Sequence, residues 1–203
     1  MLNQMTGGEK MENKKSLWSF NFSTMALVLI PVSIGINYVG KLFAQTLKLP
    51  LWLDSIGTIL AGILAGPWVG AISGGINNII YGLTVSPVSF AYGITSIAIG
   101  IVAGLMARMG FLKNTKRAFL MGLAIVGVAT VVSTPINIIF WGGQTGNIWG
   151  DALFGFLRSQ NWPVWLASGL DELVVDLPDK IATTLIAFAI YKGLPKRITI
   201  LFD

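Results

Sequence analysis

Long apolar stretches divide this chain into six candidate membrane spans, at about residues 22–46, 52–66, 67–84, 88–108, 118–140 and 172–192. Glycine, proline and charged residues separate them, and a helix needs about 20 apolar residues to cross a bilayer. The second and third stretches are short for a vertical crossing, and Gly66-Pro67 between them predicts a tight turn. The pattern predicts an all-α integral membrane bundle of six transmembrane helices over residues 22–197, between tails at 1–21 and 198–203.

Composition strengthens this interpretation and removes several functional classes. The chain is 54% hydrophobic and only 11% charged, whereas a soluble domain carries about 25% charged residues. It contains no Cys and no His, which removes thiolate metal sites and nucleophiles as well as the commonest general base. We therefore expect a multi-pass membrane protein with no catalytic residues, no metal site and no cofactor of its own.

The distribution of basic residues predicts the orientation. With six spans, ten of the fourteen Lys and Arg residues fall on the side that holds both termini, three fall on the other side, and Lys180 lies within a span. Positive charge accumulates on the cytoplasmic side of membrane proteins. Both termini are therefore expected to be cytoplasmic, in the cell membrane.

Polar side chains within the spans concentrate in their outer halves, while glycines and other small residues fill the cytoplasmic halves. This asymmetry predicts a polar cup that opens to the outside and is closed below by packed helices. The alternative is that these residues are interfacial anchors, since aromatic belts occur at both membrane surfaces. The predicted substrate-binding residues are Asn37, Tyr38, Lys41, Asn78, Tyr81, Tyr92, Asn137, Trp141, Gln144, Trp162, Asp171, Asp176 and Lys180.

The outer segment 142–169 is the only long loop between spans. Within it Trp149, Leu153, Phe156 and Leu157 follow the spacing of one helical face, which predicts a short amphipathic helix. Long loops with structure of their own are often lids or binding loops. A helix that lies on the membrane surface without contacting a ligand is the alternative.

The acidic stretch 171–180 precedes the last apolar run. Glu172, Asp176 and Lys180 are spaced four apart, so a helix would place all three on one face. Ionisable groups at membrane depth usually face protein or water and indicate a functional site. Asp176 and Lys180 either neutralise each other or contact a ligand. Pro178 either kinks the helix or begins it.

One stretch nearly matches a phosphate-binding loop. Gly35 to Lys41 has the required glycine and lysine spacing, but an apolar span precedes it and Leu42 stands where Ser or Thr would hold magnesium. We therefore expect no ATP site in this chain.

Several short motifs, in order and spacing, resemble the substrate-binding S-components of energy-coupling-factor (ECF) transporters. They are Leu53-Asp-Ser-Ile-Gly-Thr58, Ala65-Gly-Pro-Trp-Val-Gly-Ala71, Asn77-Asn78, Leu177-Pro-Asp-Lys180 and Tyr191-Lys-Gly-Leu-Pro-Lys196. The resemblance implies a six-helix membrane protein that captures a vitamin or vitamin precursor with high affinity. It also implies association with a transmembrane coupling subunit and two cytoplasmic ATPases, which bind the ATP, and toppling in the bilayer to release the cargo inward.

The first span departs from the family pattern. Many members carry Ala-x-x-x-Ala there for docking to the coupling subunit, and in this chain Ala26 is followed four residues later by Ile30. The glycine-spaced faces of the middle spans are an alternative docking surface, because small residues let helices approach closely. The predicted docking residues are Gly62, Gly70, Gly74, Gly100 and Gly104.

The many aromatic and amide side chains favour a large, partly planar cargo, with cobalamin or riboflavin ranked first and a strongly anionic ligand disfavoured. The principal alternative is a small secondary carrier or a membrane sensor, although we find no internal repeat, midplane ionisable site or signalling domain. A membrane enzyme that uses Asp176 or Asp179 would need a second catalytic group, and the sequence offers none.

Overall fold

The computed structural model describes residue 17 and residues 23–202, and in that part of the chain the regular structure is entirely helical. Eight α-helices follow in order: α1 (Thr24–Thr46), α2 (Ile56–Ala65), α3 (Pro67–Thr84), α4 (Ser89–Met106), α5 (Thr115–Trp141), α6 (Ile148–Ser159), α7 (Val164–Gly193) and α8 (Lys196–Thr199). A π-helical turn, Ala107–Phe111, extends α4, and a 3-10 turn, Ile200–Phe202, follows α8. The all-α prediction is confirmed for the described residues.

Local sequence accounts for the helix boundaries. The side chains of the N-cap residues cap α1, α5 and α6. Ser23 accepts a hydrogen bond from the Ala26 amide, Asn114 from the Arg117 amide and Asn147 from the Trp149 amide. Between α2 and α3, Gly66 has a φ of 98°, which favours glycine, and Pro67 begins α3. The predicted turn at Gly66-Pro67 is confirmed.

Three helical segments of the described chain are long and apolar enough to cross a membrane by length and composition: Thr24–Thr46, Ser89–Phe111 and Thr115–Trp141. Helix α2 is apolar but has only 10 residues, and α7 carries the acidic stretch. The count of six spans therefore stays a prediction. Helix α7 begins at Val164, eight residues before the predicted span, and Pro178 lies inside it. The option that Pro178 begins the helix is wrong.

Glycines set the closest helix approaches. A Cβ on Gly100 would lie 2.3 Å from the carbonyl carbon of Gly70, and one on Gly104 would lie 2.3 Å from the nitrogen of Pro67. Backbone therefore packs on backbone where α4 meets α3. An apolar core from α2, α4, α5 and α7 continues from this contact and includes Ile59, Ile99, Met121, Ile125 and Ala187.

Charge divides the bundle into two ends. The acidic end carries the segments 47–55, 85–88 and 142–163, and all six Asp and Glu residues of the described chain lie at or near it: Asp54, Asp151, Asp171, Glu172, Asp176 and Asp179. The opposite, basic end carries the turn at Gly66, the segment 107–114 and the C-terminal turns. Phe202 packs there against the cluster that contains Ala26 and Leu29 of α1. The beginning and the end of the described chain are therefore together.

Candidate functional site

A cavity of about 280 Å³ opens into the bundle at the acidic end. Its walls come from α1, α3, α4, α5, α7 and three connecting segments. The lining residues are Lys41, Gln45, Trp52, Asp54, Tyr81, Ser86, Val88, Ser89, Tyr92, Thr95, Ser96, Ile99, Ser133, Trp141, Thr145, Gly146, Glu172, Asp176 and Lys180. Ile99 also belongs to the apolar core, so the packed core begins directly at the cavity floor.

Lys180 is the centre of a buried ion-pair cluster on one wall. Its Nζ lies 2.6 Å from Asp179 Oδ2, 3.3 Å from Asp54 Oδ1 and 3.6 Å from Asp176 Oδ1. The predicted pairing of Asp176 with Lys180 is therefore present, but Asp179 is the nearest partner. Because Lys180, Asp176 and Asp179 are almost fully buried, the geometry of their contacts decides whether the cluster stabilises the protein.

Asp54 joins this cluster to a second lysine. Its Oδ2 lies 3.7 Å from Lys41 Nζ on α1, while its Oδ1 faces Lys180 on α7. Asp54 therefore bridges α1 and α7 through ion pairs with two lysines.

Asp179 holds the segment 47–55 against α7. Its Oδ1 accepts the Leu53 amide at 2.8 Å and the Trp52 amide at 3.1 Å. Leu53 has a φ of 52°, a left-handed conformation that is uncommon outside glycine. The two hydrogen bonds hold Trp52 and Asp54 on the cavity wall.

A second chain of polar side chains connects α4, α5 and α7 along the cavity wall. Tyr92 donates its hydroxyl to Asn137 Oδ1, and Asn137 Nδ2 donates to Glu172 Oε2 at 2.8 Å. Asn137 is fully buried and lies behind the wall. It therefore positions Tyr92 and Glu172, which both face the cavity.

Also on the cavity wall, Tyr81 connects α3 with α1. Its hydroxyl donates to Gln45 Oε1, the Lys41 ammonium lies 4.2 Å from the centre of its ring, and Tyr38 packs edge-on at 5.5 Å. The ring face of Tyr81 is therefore already occupied by a cation of the protein itself.

The segment that leads into α6 covers part of the cavity. The carboxylates of Asp151 and Asp171 both accept the Thr145 amide, at 3.0 Å and 3.2 Å, and Asp171 also accepts the Thr145 hydroxyl at 2.9 Å. Gly142, Gly143 and Gly146 adopt positive φ values of 65°, 110° and 79°, which gives the segment its tight course. The short helix predicted in this region is confirmed as α6.

The structure brings six of the thirteen predicted binding residues to the cavity wall: Lys41, Tyr81, Tyr92, Trp141, Asp176 and Lys180. Asn37, Tyr38, Asn78, Asn137 and Asp171 lie behind it, in contacts within the protein. Asn78, for example, donates to Ser96 Oγ at 2.6 Å. Gln144 is exposed and not on the wall, and Trp162 is 40% exposed at the end of the α6 segment. Ligand contact stays a prediction for the residues on the wall.

Sequence reasoning missed the small hydroxyl side chains of the wall, above all Ser89, Thr95, Ser96 and Ser133. Nothing in their residue type separates these serines from the small residues of helix contacts. Asp54 and Glu172 carried a usable signal, because both are acids within or beside apolar runs.

The five glycines predicted to dock a partner are all buried within this chain. A Cβ on Gly70 would lie 2.9 Å from the Gly100 oxygen, and one on Gly74 would lie 2.7 Å from the Ser96 oxygen. Gly62 faces Gly100 and Gly104 in the same way. Contacts among α2, α3 and α4 already occupy these glycine faces, and docking of a partner at them stays a prediction.

The arrangement is suited to binding more than to reaction. The carboxylates of the wall face hydroxyl groups, aromatic rings and lysines already engaged in ion pairs. Among the described residues there is no group of three acids placed to hold a metal ion. A ligand in this cavity would meet charged and hydrogen-bonding groups on the walls and an apolar floor.

Comparison with known proteins identifies one relationship. The family described as "ECF transporter, substrate-specific component" matches residues 25–202. Comparisons with curated proteins and with solved structures gave no match. The family match covers every helix that contributes to the cavity.

Proposed function

Because the chain belongs to the family of substrate-specific components of ECF transporters, we propose that the cavity at its acidic end captures a vitamin or vitamin precursor for ATP-driven uptake. The observation that carries this proposal is the cavity itself. It opens at one end of the bundle, is lined by five ionisable carboxylate and ammonium side chains, and ends on the packed core at Ile99. A closed floor is suited to a binding protein, whereas a pore needs polar lining along its whole length.

The size of the cavity favours a small cargo. A volume of about 280 Å³ lies just below the usual range of small-molecule sites, about 300–1,000 Å³. Of the two vitamins ranked first by composition, riboflavin fits this volume far better than cobalamin, which is several times larger. We therefore propose a cargo of riboflavin size or smaller.

The proposed setting is a bacterial cell membrane, with six spans and with the basic end in the cytoplasm. The partners are a transmembrane coupling subunit and two cytoplasmic ATPases, which supply the ATP sites. This chain contributes recognition, with no catalysis and no cofactor of its own.

The test is to purify the full chain in detergent, identify any co-purified ligand by mass spectrometry, and titrate that compound by calorimetry. Ser86→Trp on the cavity rim should abolish binding, whereas the matched substitution Ser159→Trp on exposed α6 should preserve it. Uptake into cells should require co-expression of the coupling subunit and ATPases. Uptake by this chain alone would instead indicate a secondary carrier.

A further inference from the structure

We propose that the cavity selects a small, planar organic cation with N–H donors over neutral or anionic molecules of the same size. This inference rests on the proposed function and specifies the chemical class of its cargo. It comes from the charges on the cavity wall and from one unsatisfied carboxylate oxygen.

Carboxylates outnumber ammonium groups at the site. Asp54, Glu172 and Asp176 line the cavity together with Lys41 and Lys180, and Asp179 lies behind the wall in contact with Lys180. Four carboxyls against two ammoniums leave a formal excess of two negative charges when all are ionised. A bound cation would reduce this excess among side chains that are mostly buried.

Asp176 is the acid least satisfied by the protein. Its Oδ1 is the most distant of the three carboxylate contacts of Lys180, at 3.6 Å. Its Oδ2 is buried and accepts no hydrogen bond, although the residue is only 1% exposed and lines the cavity. A buried acceptor without a donor is costly, so a ligand N–H at this position would be strongly favoured.

Glu172 lies one helical turn before Asp176 on the same face of α7. Asn137 holds its Oε2, and Glu172 forms no salt bridge with any lysine or arginine of the described residues. Glu172 and Asp176 are close enough to share a proton through a side-chain hydrogen bond. When both are ionised, this pair matches a ligand that presents a cationic centre and adjacent N–H donors.

The lysines are poorly placed to receive an anion. Lys180 already contacts three carboxylates, and Lys41 lies between Asp54 and the ring of Tyr81. An anionic ligand would have to displace these partners. Trp52, Tyr92 and Trp141 also line the cavity, and aromatic rings favour stacking with a planar cation.

The experiment measures charge selectivity in the full chain, purified in detergent and depleted of ligand. The probes at pH 7 are thiamine and pyridoxamine as cations, pyridoxine, nicotinamide and riboflavin as neutral compounds, and nicotinate, 4-pyridoxate and biotin as anions. Thermal unfolding ranks them, and calorimetry gives the affinities of the best compound and of the one-ring series pyridoxamine, pyridoxine and 4-pyridoxate. We expect a cation to bind tightest, and pyridoxamine to exceed pyridoxine by at least about tenfold.

Substitutions of the wall carboxylates test whether these groups cause the preference for a cation. Asp176→Asn and Glu172→Gln should each reduce the ratio of cation to neutral affinity by about tenfold, since each removes a negative charge. Lys116→Gln removes one charge from an exposed position at the opposite, basic end of the bundle and should leave that ratio unchanged. If Asp176→Asn yields no folded protein, the affinity ratio of Glu172→Gln alone tests the charge inference.

A neutral or anionic compound as the tightest binder, or an unchanged ratio in the folded wall variants, would overturn the charge inference and leave the proposed function intact. Failure of every probe to bind, together with no ligand after purification, would overturn the proposed function and the charge inference with it.

Discussion

Asn37 on α1 supplies the hydrogen bonds that begin α2: its Oδ1 accepts the Gly57 amide at 2.7 Å. The same oxygen accepts the Thr58 amide at 3.3 Å, and Nδ2 donates to the Thr58 hydroxyl at 2.8 Å. Ser55, at the N-cap position, makes no capping bond with its side chain. A helix of only 10 residues is therefore fixed by a side chain from its neighbour.

Replacing Asn37 with Leu should destabilise the protein by about 2–3 kcal/mol, because buried amide and hydroxyl groups at the start of α2 lose their partners. Thermal unfolding of the detergent-purified chain measures this. Asn77→Leu is the matched control, since Asn77 is equally buried but its Oδ1 accepts no hydrogen bond. An equal loss in both variants would contradict the capping role.

Gly100→Ala should destabilise the isolated chain by about 1–3 kcal/mol, because the added methyl group meets the Gly70 backbone at 2.3 Å. Gly127→Ala is the matched control: it lies in α5 with no atom within 4 Å of the added carbon and should be neutral or slightly stabilising. The measurement is the unfolding midpoint without partner subunits. A normal midpoint for Gly100→Ala, together with a defect only in complex assembly, would instead favour the docking interpretation of these glycines.

Asp179→Ala should lower the free energy of unfolding by about 3–5 kcal/mol, because Lys180 loses its nearest carboxylate partner. It should also abolish ligand binding, because the segment 47–55 loses the hydrogen bonds that hold it against α7. Asp179→Asn keeps a side-chain oxygen for the Leu53 and Trp52 amides while removing the charge. Comparing the two in unfolding and calorimetry separates anchoring from ion pairing. Equal effects would indicate that the charge alone matters.

Asp171→Ala should accelerate ligand release several-fold with a smaller change in association, because Thr145 loses its acceptors on α7 and the covering segment is held less firmly. Stopped-flow measurement of association and dissociation rates checks this. Gln144→Ala, in the exposed adjacent position, should leave both rates unchanged. A large change in either rate for Gln144→Ala would indicate that Gln144 contacts the ligand.

Most helices could be predicted from the sequence, because the length of an apolar stretch and the glycine and proline residues that end it are local properties of the chain. Helix α6 followed from the spacing of Trp149, Phe156 and Leu157, and the turn at Gly66 from its neighbour Pro67. The predicted span begins eight residues after the start of α7, because about 20 residues counted back from Lys192 reach only the charged pair Asp171 and Glu172. In the structure the helix continues through them because their side chains find partners in other segments.

The site was predicted less completely because polar residue type does not distinguish a cavity wall from the layer behind it. Asn37 and Tyr92 are both polar residues near span ends, yet one caps a helix and the other faces the cavity. The five glycines predicted to dock a partner illustrate a related point, because all of them are buried in contacts within this chain. Four-residue spacing indicates that helices approach closely, but it does not identify which helix approaches.

Ile99 is both the floor of the cavity and a member of the apolar core, which constrains how this scaffold can acquire new specificities. Deepening the pocket by trimming this side chain would remove packing from the layer that holds α2, α4, α5 and α7 together. Exchanging hydroxyl residues on the walls, such as Ser89 or Ser133, leaves that layer intact. Divergence of cargo among related chains is therefore expected at the walls, with the floor retained.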